Sequence, residues 1–341
     1  MNYFKMTGGF GDIVCSTRVR LARNLKGRPY ALQGKEKEEM IQAVWQALEQ
    51  NPVMKEQMRL VHVRDLSQQD REYLVERHLI SKELPADGAY ILSQDNGLCL
   101  LLGEEDHLRL QVLGDGFCPE ECLQVAQRVL RVIEEQLPFD YDEQFGYLTA
   151  CPTNVGTGLR ASVMMHLPLL AQTGELKQLG DELSRAGFAL RGWLGEGSRP
   201  EGDLYQISNQ VTLGVSERQL VEALTRLSGA LIDREKRARA QAFEEKDGVW
   251  PDAVCRSLAL LQSARRMSCS ESEQCLSHVL LGQERKWITG AAPQELFDLL
   301  ADVQPVAVER RAGRRLSPEQ RDALRSELLR ERARRWQITE P

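Results

Sequence analysis

Three apolar runs of strand length lie between residues 88 and 114, and they constrain the fold more than any other part of the sequence. The runs read GAYILS, LCLLLG and DHLRLQVLG, and the first turn between them contains Asp95-Asn96-Gly97. Asp-Asn-Gly between two apolar runs is a strong β-hairpin signal. Because such short connections leave no room for a crossover helix, the sequence predicts antiparallel strands here.

Helical patterns follow these strands. In residues 117–137 the apolar side chains recur every three or four positions and Pro119 stands near the start, which predicts an amphipathic helix. The same spacing predicts a second helix over residues 168–186. Residues 188–214 carry strand-like runs at both ends of a glycine-rich loop. Long loops held by a rigid sheet often carry function.

After residue 216 the sequence contains only helical patterns. The last of them begins with Ser317 as an N-cap and Pro318 at the first helical position. A chain of 341 residues is long enough to form two domains. We therefore predict an α+β domain with an antiparallel sheet over residues 1–230, followed by an all-helical C-terminal domain over residues 231–341.

The composition narrows the classes of function. Arg outnumbers Lys by 34 to 10, which hints at phosphate binding, although a GC-rich genome has the same effect. The net charge of −6 argues against direct nucleic-acid binding. No apolar run approaches the ~18 to 20 residues of a membrane helix. The N-terminus lacks an apolar core followed by a cleavage site, so we expect a soluble, cytoplasmic protein. The eight Cys residues form no pair of CxxC motifs, which predicts no metal site.

Four segments concentrate arginine, glycine and carboxylate residues. They are residues 16–23, 103–109, 151–163 and 191–198. In a strand, Arg18 and Arg20 project from the same face and can converge on one polyanion. The third segment can wrap backbone N–H groups around an anion, but it lacks the Gly-Lys-Ser/Thr end of a P-loop. Taken singly, these segments also fit an exposed strand face, a solvated turn or a surface loop, and His107 fits a structural histidine.

Taken together and in this order, the four segments resemble the phosphagen (guanidino) kinase family. The strings that carry the resemblance are CPTNVGTGLRASV at 151–163 and EEDHLR at 104–109. The chain opens almost directly at STRVRLARN, without the N-terminal helical domain of the small-molecule kinases, and it carries a helical C-terminal extension. Both features, and the loop LRGWLGEGS, resemble the bacterial protein-arginine kinase branch. The resemblance spans residues 12–335.

This resemblance implies a curved antiparallel sheet flanked by helices and an ATP-dependent, Mg²⁺-assisted phosphorylation of arginine side chains in proteins. Glu105, supported by Glu196, would orient the guanidinium and accept its proton. Cys151 would act as a thiolate beside the guanidinium without forming a covalent intermediate. No protein side chain is implied as a metal ligand, because Mg²⁺ would bridge phosphate oxygens. The residues implied to bind ATP are Arg18, Arg20, Arg109, Arg160, Arg191, Thr17 and Ser162.

In the last predicted helix, Arg321-Asp322-Ala323-Leu324-Arg325-Ser326 resembles the RDxxRA signature of an allosteric phosphoarginine pocket. Arg321 and Arg325 are four residues apart and so share one helix face, where they could clamp a phosphate while Asp322 meets the guanidinium. Ser326 replaces the usual Ala. An Arg-rich exposed helix is the alternative interpretation.

The resemblance also implies partners. It implies protein substrates with exposed arginine, a zinc-binding activator protein, a Clp ATPase, a heat-shock repressor and a homodimer, with no membrane and no nucleic acid. The modified proteins would be marked for Clp-type proteolysis as part of a stress response. Two other hypotheses stay open at this point: a kinase for small guanidino compounds, and a regulatory module that binds phosphoarginine.

Overall fold

The computed structural model describes residues 4–192, 201–244 and 248–339. Its strands are β1 Met6–Thr7, β2 Val14–Arg23, β3 Met58–His62, β4 Ala89–Ser93, β5 Leu98–Leu102, β6 Leu108–Asp115, β7 Tyr141–Asp142, β8 Gly146–Tyr147, β9 Leu159–His166, β10 Phe188–Gly192, β11 Leu204–Asn209, β12 Ile288–Thr289 and β13 Gln337–Ile338. Nine of these strands form one sheet in the order β10-β11-β9-β2-β6-β5-β4-β3, with β1 beside β6. Among the strands of the described residues, only the short β1 pairs in parallel.

The antiparallel hairpins predicted between residues 88 and 114 are confirmed. Strands β4, β5 and β6 pair in sequence, with Leu92 opposite Cys99 and Leu100 opposite Leu110. Asn96 in the first turn has a φ of 53°, a left-handed conformation that Asn tolerates better than most residues. The turn chemistry read from the sequence therefore determines this part of the sheet.

The helices are α1 Gly34–Glu49, α2 Pro52–Gln57, α3 Gln68–Glu76, α4 Pro119–Glu134, α5 Pro168–Gln172, α6 Glu175–Arg185, α7 Glu217–Glu244, α8 Val249–Ser263, α9 Cys269–Glu284, α10 Pro293–Asp302, α11 Pro305–Ala312 and α12 Pro318–Ala333. The prediction of α4 is confirmed. The single helix expected over 168–186 is wrong, because Gly174 adopts a φ of 76° and separates α5 from α6. The short α11 was not predicted as a helix of its own.

The sheet has two unlike faces. Helices α4 and α7 pack directly on one face, with α1 against α4, and the main apolar core lies between these layers. Along β2, Thr17, Val19 and Leu21 point into this core, while Arg18 and Arg20 alternate to the other face. The alternation of β2 thus separates the core from the candidate site.

A second apolar core lies among α8, α9, α10 and α12 and includes the fully buried Trp336. Leu204 of β11 belongs to this core, so the C-terminal helices pack against the edge of the sheet region. The predicted boundary at 230/231 falls inside α7, whose Leu231 and Ile232 belong to the first core. In the part of the chain that the structure describes, no helix is both long and apolar enough to cross a membrane.

A network of buried charged side chains connects α7 to strand β9 and to helix α9. Arg239 is 1% exposed, and its Nε donates to Glu235 at 2.8 Å. A second nitrogen pairs with Glu284 of α9, and a third donates to the carbonyl oxygen of His166 at 2.9 Å. Burial raises the pKa of Glu235, and the Arg239 charge opposes that shift. Removing the arginine would leave a buried carboxylate without its cation.

Replacing Arg239 by Leu should therefore lower the free energy of unfolding by about 3–5 kcal/mol, measured by urea denaturation. The matched control is Arg237→Leu, two residues away on the exposed side of α7. We expect that control to change stability by less than about 0.5 kcal/mol. Equal effects of the two substitutions would contradict the assignment of Arg239 as the link between α7 and its neighbours.

Candidate active site

A cavity of about 890 Å³ lies on the face of the sheet opposite α4 and α7. Its floor is formed by β2 and β9, and its walls include the end of α3, strands β10 and β11, and α10. The volume falls in the range typical of small-molecule sites. Seven arginines line the cavity, namely Arg18, Arg20, Arg59, Arg77, Arg160, Arg191 and Arg310.

Strand register brings the central arginines together. In the antiparallel pair of β2 and β9, Arg20 lies opposite Arg160 and Arg18 lies opposite Ser162. Arg18 donates to the Gln206 side chain at 3.1 Å. The prediction that Arg18 and Arg20 share a face holds, and β9 brings Arg160 to the same face.

Like charges crowd this part of the cavity. Burial, together with the nearby Arg160 and Arg109, lowers the pKa of Arg18 to about 10. Burial also lowers the pKa of Arg20 well below its ordinary value, with the neighbouring arginines adding to the effect. The Nε atom of Arg20 is buried and has no hydrogen-bond partner among the described residues. Such a cluster fits a ligand that carries several negative charges, such as a polyphosphate.

A histidine that the sequence did not reveal also lines the cavity. Burial, followed by the charges of Arg18, Arg20 and Arg77, lowers the pKa of His78 to about 4. His78 is therefore neutral at physiological pH. It follows α3 in an unpatterned stretch with a φ of 56°, and no sequence motif marks it.

The acidic turn after β5 divides its three carboxylates among different environments. The Glu104 side chain is 4% exposed and accepts a hydrogen bond from Arg109 at 2.7 Å. Glu105 is exposed. The buried Asp106 accepts hydrogen bonds from the Asn24 side chain and from the backbone N–H of Ala150, both at 2.7 Å. Only the middle carboxylate is thus left facing solvent.

Asp106 holds the acidic turn against the segment that contains Cys151. Glu105 precedes Asp106 and Cys151 follows Ala150, so the bond between Asp106 and Ala150 brings these two candidate residues close together. Cys151 is half-buried, and its Sγ lies 3.0 Å from Thr153 Oγ1. Asn24 also accepts a hydrogen bond from the N–H of His107 at 2.8 Å, so it braces the turn from a second side.

Two assignments differ from the expectation. Thr17 is fully buried on the core face of β2, where its hydroxyl donates to the carbonyl oxygen of Gly116 and accepts from the N–H of Cys118. It cannot contact a ligand in the cavity, because strand alternation places it on the opposite side from Arg18. Arg109 does not line the cavity and is paired with Glu104.

The other predicted residues fall as follows. Ser162 and Arg191 line the cavity. His107 is a structural histidine, since its ring bonds the N–H of Leu25 and the carbonyl oxygen of Pro29, both at 2.9 Å. Glu196 lies outside the described residues. Within the described ranges, no group of three His, Cys, Asp or Glu side chains is placed to hold a metal ion.

The arginines of α12 do not converge. Arg325 is 2% exposed and donates to the carbonyl oxygens of Val303 and Met267 and to the Asp322 carboxylate. Arg321 pairs instead with Glu309 at 2.9 Å. In this conformation the two guanidinium groups therefore do not form the expected phosphate clamp.

Ser326, where the signature has Ala, is fully buried. Its hydroxyl lies 2.7 Å from the carbonyl oxygen of Arg265, to which it can donate. The extra hydroxyl group is thus accommodated by a hydrogen bond rather than left unsatisfied.

Two protein-family models match this chain, one over the sheet-containing region and one over the C-terminal helices. Residues 39–238 match the family model described as ATP:guanido phosphotransferase, C-terminal catalytic domain. Residues 249–340 match the model described as Protein-arginine kinase McsB C-terminal domain.

Among curated relatives, the protein-arginine kinase of Brevibacillus brevis is 38% identical over 98% of this chain and 95% of its own length. That of Symbiobacterium thermophilum is 40% identical over 96% of this chain and 94% of its own length. Among solved structures, a lombricine kinase aligns with a TM-score of 0.62 at 25% identity, covering 71% of each chain. The duplicated taurocyamine kinase of Schistosoma mansoni shares the fold, with a TM-score of 0.61 at 24% identity over 73% of this chain and 37% of its own.

Replacing Arg20 by Met should have two opposite effects. Because the substitution removes one of several crowded charges, it should raise the melting temperature of the ligand-free protein by about 2–4 °C. It should also weaken the binding of inorganic tripolyphosphate by about tenfold or more, measured by titration calorimetry.

The matched control is Arg64→Met, whose side chain is 57% exposed and lies outside the cavity. It should leave both quantities unchanged. A lower melting temperature with unaltered tripolyphosphate affinity in Arg20→Met would contradict the proposed charge crowding.

Proposed function

Since the chain belongs to the ATP:guanido phosphotransferase family, we propose that it transfers the γ-phosphoryl group of ATP to the guanidinium group of arginine side chains in proteins. The observation that carries this proposal is an arginine-lined cavity in the same sheet region as the Glu105 and Cys151 segments, which a hydrogen bond of Asp106 joins to each other. One end of this arrangement suits a polyphosphate, and the other suits a guanidinium cation.

The phosphate end neutralises charge. Arg18, Arg20 and Arg160 share one half-buried face, where weak solvent screening strengthens their attraction for a triphosphate. Arg191 and Ser162 line the same cavity and add further donors. Mg²⁺ would arrive with ATP and would neutralise part of the phosphate charge. The protein's part at this end is to bind, orient and stabilise the transferring group.

The guanidinium end must supply an acceptor. An arginine guanidinium has a pKa above ~12 and is a poor nucleophile while protonated. The exposed carboxylate of Glu105 can accept its hydrogen bonds and then its proton. The N–P bond forms as the bond between the γ-phosphorus and the ADP oxygen breaks, so ADP leaves and the proton stays on Glu105. Cys151 would help to position the guanidinium, without forming a covalent bond.

Proteins, rather than free guanidino compounds, are the proposed substrates. The support comes from the relatives, which are named protein-arginine kinases and are covered over nearly their whole length. The match of residues 249–340 to the C-terminal domain of that branch supports the same choice. A kinase for small guanidino compounds remains the alternative, and substrate choice in the assay below separates the two.

We further propose that the enzyme works in the cytoplasm as a homodimer and marks damaged proteins for a Clp ATPase. A zinc-binding activator protein and a heat-shock repressor would be its other partners. Family membership is the support for this role. Affinity purification of the tagged protein from heat-stressed host cells should recover a Clp ATPase, and its absence from several independent purifications would contradict the role.

Incubating an unfolded protein with the enzyme and Mg-ATP should produce acid-labile phosphate on arginine, detected by mass spectrometry under neutral conditions. Glu105→Gln should lower the turnover number at least about 100-fold, since glutamine cannot accept the proton. The affinity for ATP should stay within about twofold, because Glu105 does not line the phosphate cavity.

The control substitution is Glu83→Gln, which removes another exposed glutamate, 62% exposed, and should leave turnover unchanged. Labelling of free arginine but of no protein would establish the small-molecule alternative. Unchanged phosphoarginine formation by Glu105→Gln would contradict the role given to that carboxylate.

A further inference from the structure

Exposed apolar side chains gather on both sides of the Cys151 segment. Ten large hydrophobic side chains are exposed in the part of the chain that the structure describes, and half of them lie in two short stretches. These are Tyr141 and Phe145 in the β7–β8 hairpin, and Val211, Leu213 and Val215 after β11. We call these five side chains the apolar platform. A local cluster of this kind, unlike scattered apolar side chains, marks an interaction surface.

Backbone contacts place the platform directly beside the Cys151 segment. Tyr147 and Gly156 exchange hydrogen bonds of 2.8 and 3.1 Å, and the N–H of Thr157 donates to the carbonyl oxygen of Thr212 at 3.0 Å. A Cβ atom on Gly156 would lie 2.3 Å from the oxygen of Thr212, and one on Gly146 would lie 2.6 Å from the oxygen of Gly156. Only glycine allows three chain segments to lie this close together.

Ring contacts and hydrogen bonds hold the backbone of the platform in place. The rings of Tyr141 and Tyr147 meet edge to face at 5.2 Å, and the guanidinium of Arg23 lies 3.4 Å from the Tyr147 ring centre. On the other side, the Thr212 hydroxyl lies 2.9 Å from the carbonyl oxygen of Thr153 and 2.8 Å from that of Val155. The exposed side chains therefore stand on a braced backbone, which keeps the entropy cost of binding low.

The charge around the hairpin is the opposite of that in the cavity. Residues 132–159 contain five acidic residues and no Lys or Arg. Asp140, Asp142 and Glu143, the acids of the hairpin region, form no ion pair with the described residues. A cationic, arginine-bearing chain is attracted to such a surface, whereas a nucleotide is repelled by it.

We propose that the apolar platform binds the apolar side chains that flank the target arginine in an extended, unfolded polypeptide segment. This inference rests on the proposed function. A residue of an extended chain spans ~3.3 Å, so side chains two or three positions from the arginine lie ~7–10 Å away, within reach of a neighbouring surface. Folded proteins bury most such side chains, so the platform selects chains that have lost their structure.

Two synthetic peptides with one arginine each test the proposal, one with Leu and Val flanking the arginine and one with Ser and Gly. The wild-type enzyme should show a KM about tenfold lower for the apolar peptide. The double variant Phe145→Ser with Leu213→Ser should bring the two KM values together. The matched control, Val53→Ser with Leu260→Ser, changes two side chains that are 43% and 42% exposed elsewhere, and should keep the tenfold preference.

The outcomes distinguish a failure of the apolar platform from a failure of the proposed kinase activity. Phosphoarginine on both peptides with equal KM values in the wild type, or an unchanged preference in the double variant, would overturn the platform while leaving the kinase intact. A wild type that phosphorylates neither peptide nor any unfolded protein would overturn the proposed function itself. Sedimentation velocity measures whether the platform is instead a contact between two copies of the chain. A wild-type dimer that the double variant converts to a monomer would show that a second copy of the chain occupies this surface, which would also overturn the proposal.

Discussion

Repulsion among Arg18, Arg20 and Arg160 on one half-buried face of the sheet is the constraint on which the site depends. Strand register determines it, because β2 and β9 place these guanidinium groups opposite and next to one another. Burial removes much of the water that would otherwise screen them, and the lowered pKa values of Arg18 and Arg20 reflect that cost. An anionic ligand offsets the cost when it binds, so the empty site is less stable than the occupied one. The apolar core on the opposite face keeps the arrangement rigid.

The candidate site has two ends of opposite charge, an arginine-lined cavity and an acidic hairpin region. Asp106 joins the acidic turn after β5 to the segment that begins at Cys151. Seven arginines line the cavity at one end, while a stretch of 28 residues without Lys or Arg forms the hairpin region at the other. Under the proposed function, ATP and a cationic polypeptide would therefore approach from different sides, and each would be repelled from the approach of the other.

Much of this arrangement could be predicted from local sequence. The Asp-Asn-Gly turn predicted the hairpin, and strand alternation predicted that Arg18 and Arg20 share a face. The helix predicted over residues 168–186 was wrong for a local reason, the left-handed Gly174, whereas the features of the site that were missed depend on contacts between residues far apart in the chain. Thr17 was assigned to ATP, although its hydroxyl bonds Gly116 in the core. The phosphate clamp of Arg321 and Arg325 stays a prediction, because in this conformation two carbonyl oxygens and the Asp322 carboxylate hold the Arg325 guanidinium. His78 enters the cavity only through tertiary packing.

The central claim is that phosphate and arginine meet between the arginine cluster and Glu105. A crystal structure with ADP, Mg²⁺, nitrate and an arginine peptide tests it directly, because planar nitrate imitates the transferring phosphoryl group. The account predicts nitrate within hydrogen-bond distance of the arginine cluster and the peptide guanidinium about 3 Å from the Glu105 carboxylate. A guanidinium bound away from Glu105, or a nucleotide outside the cavity lined by Arg18, Arg20 and Arg160, would contradict it.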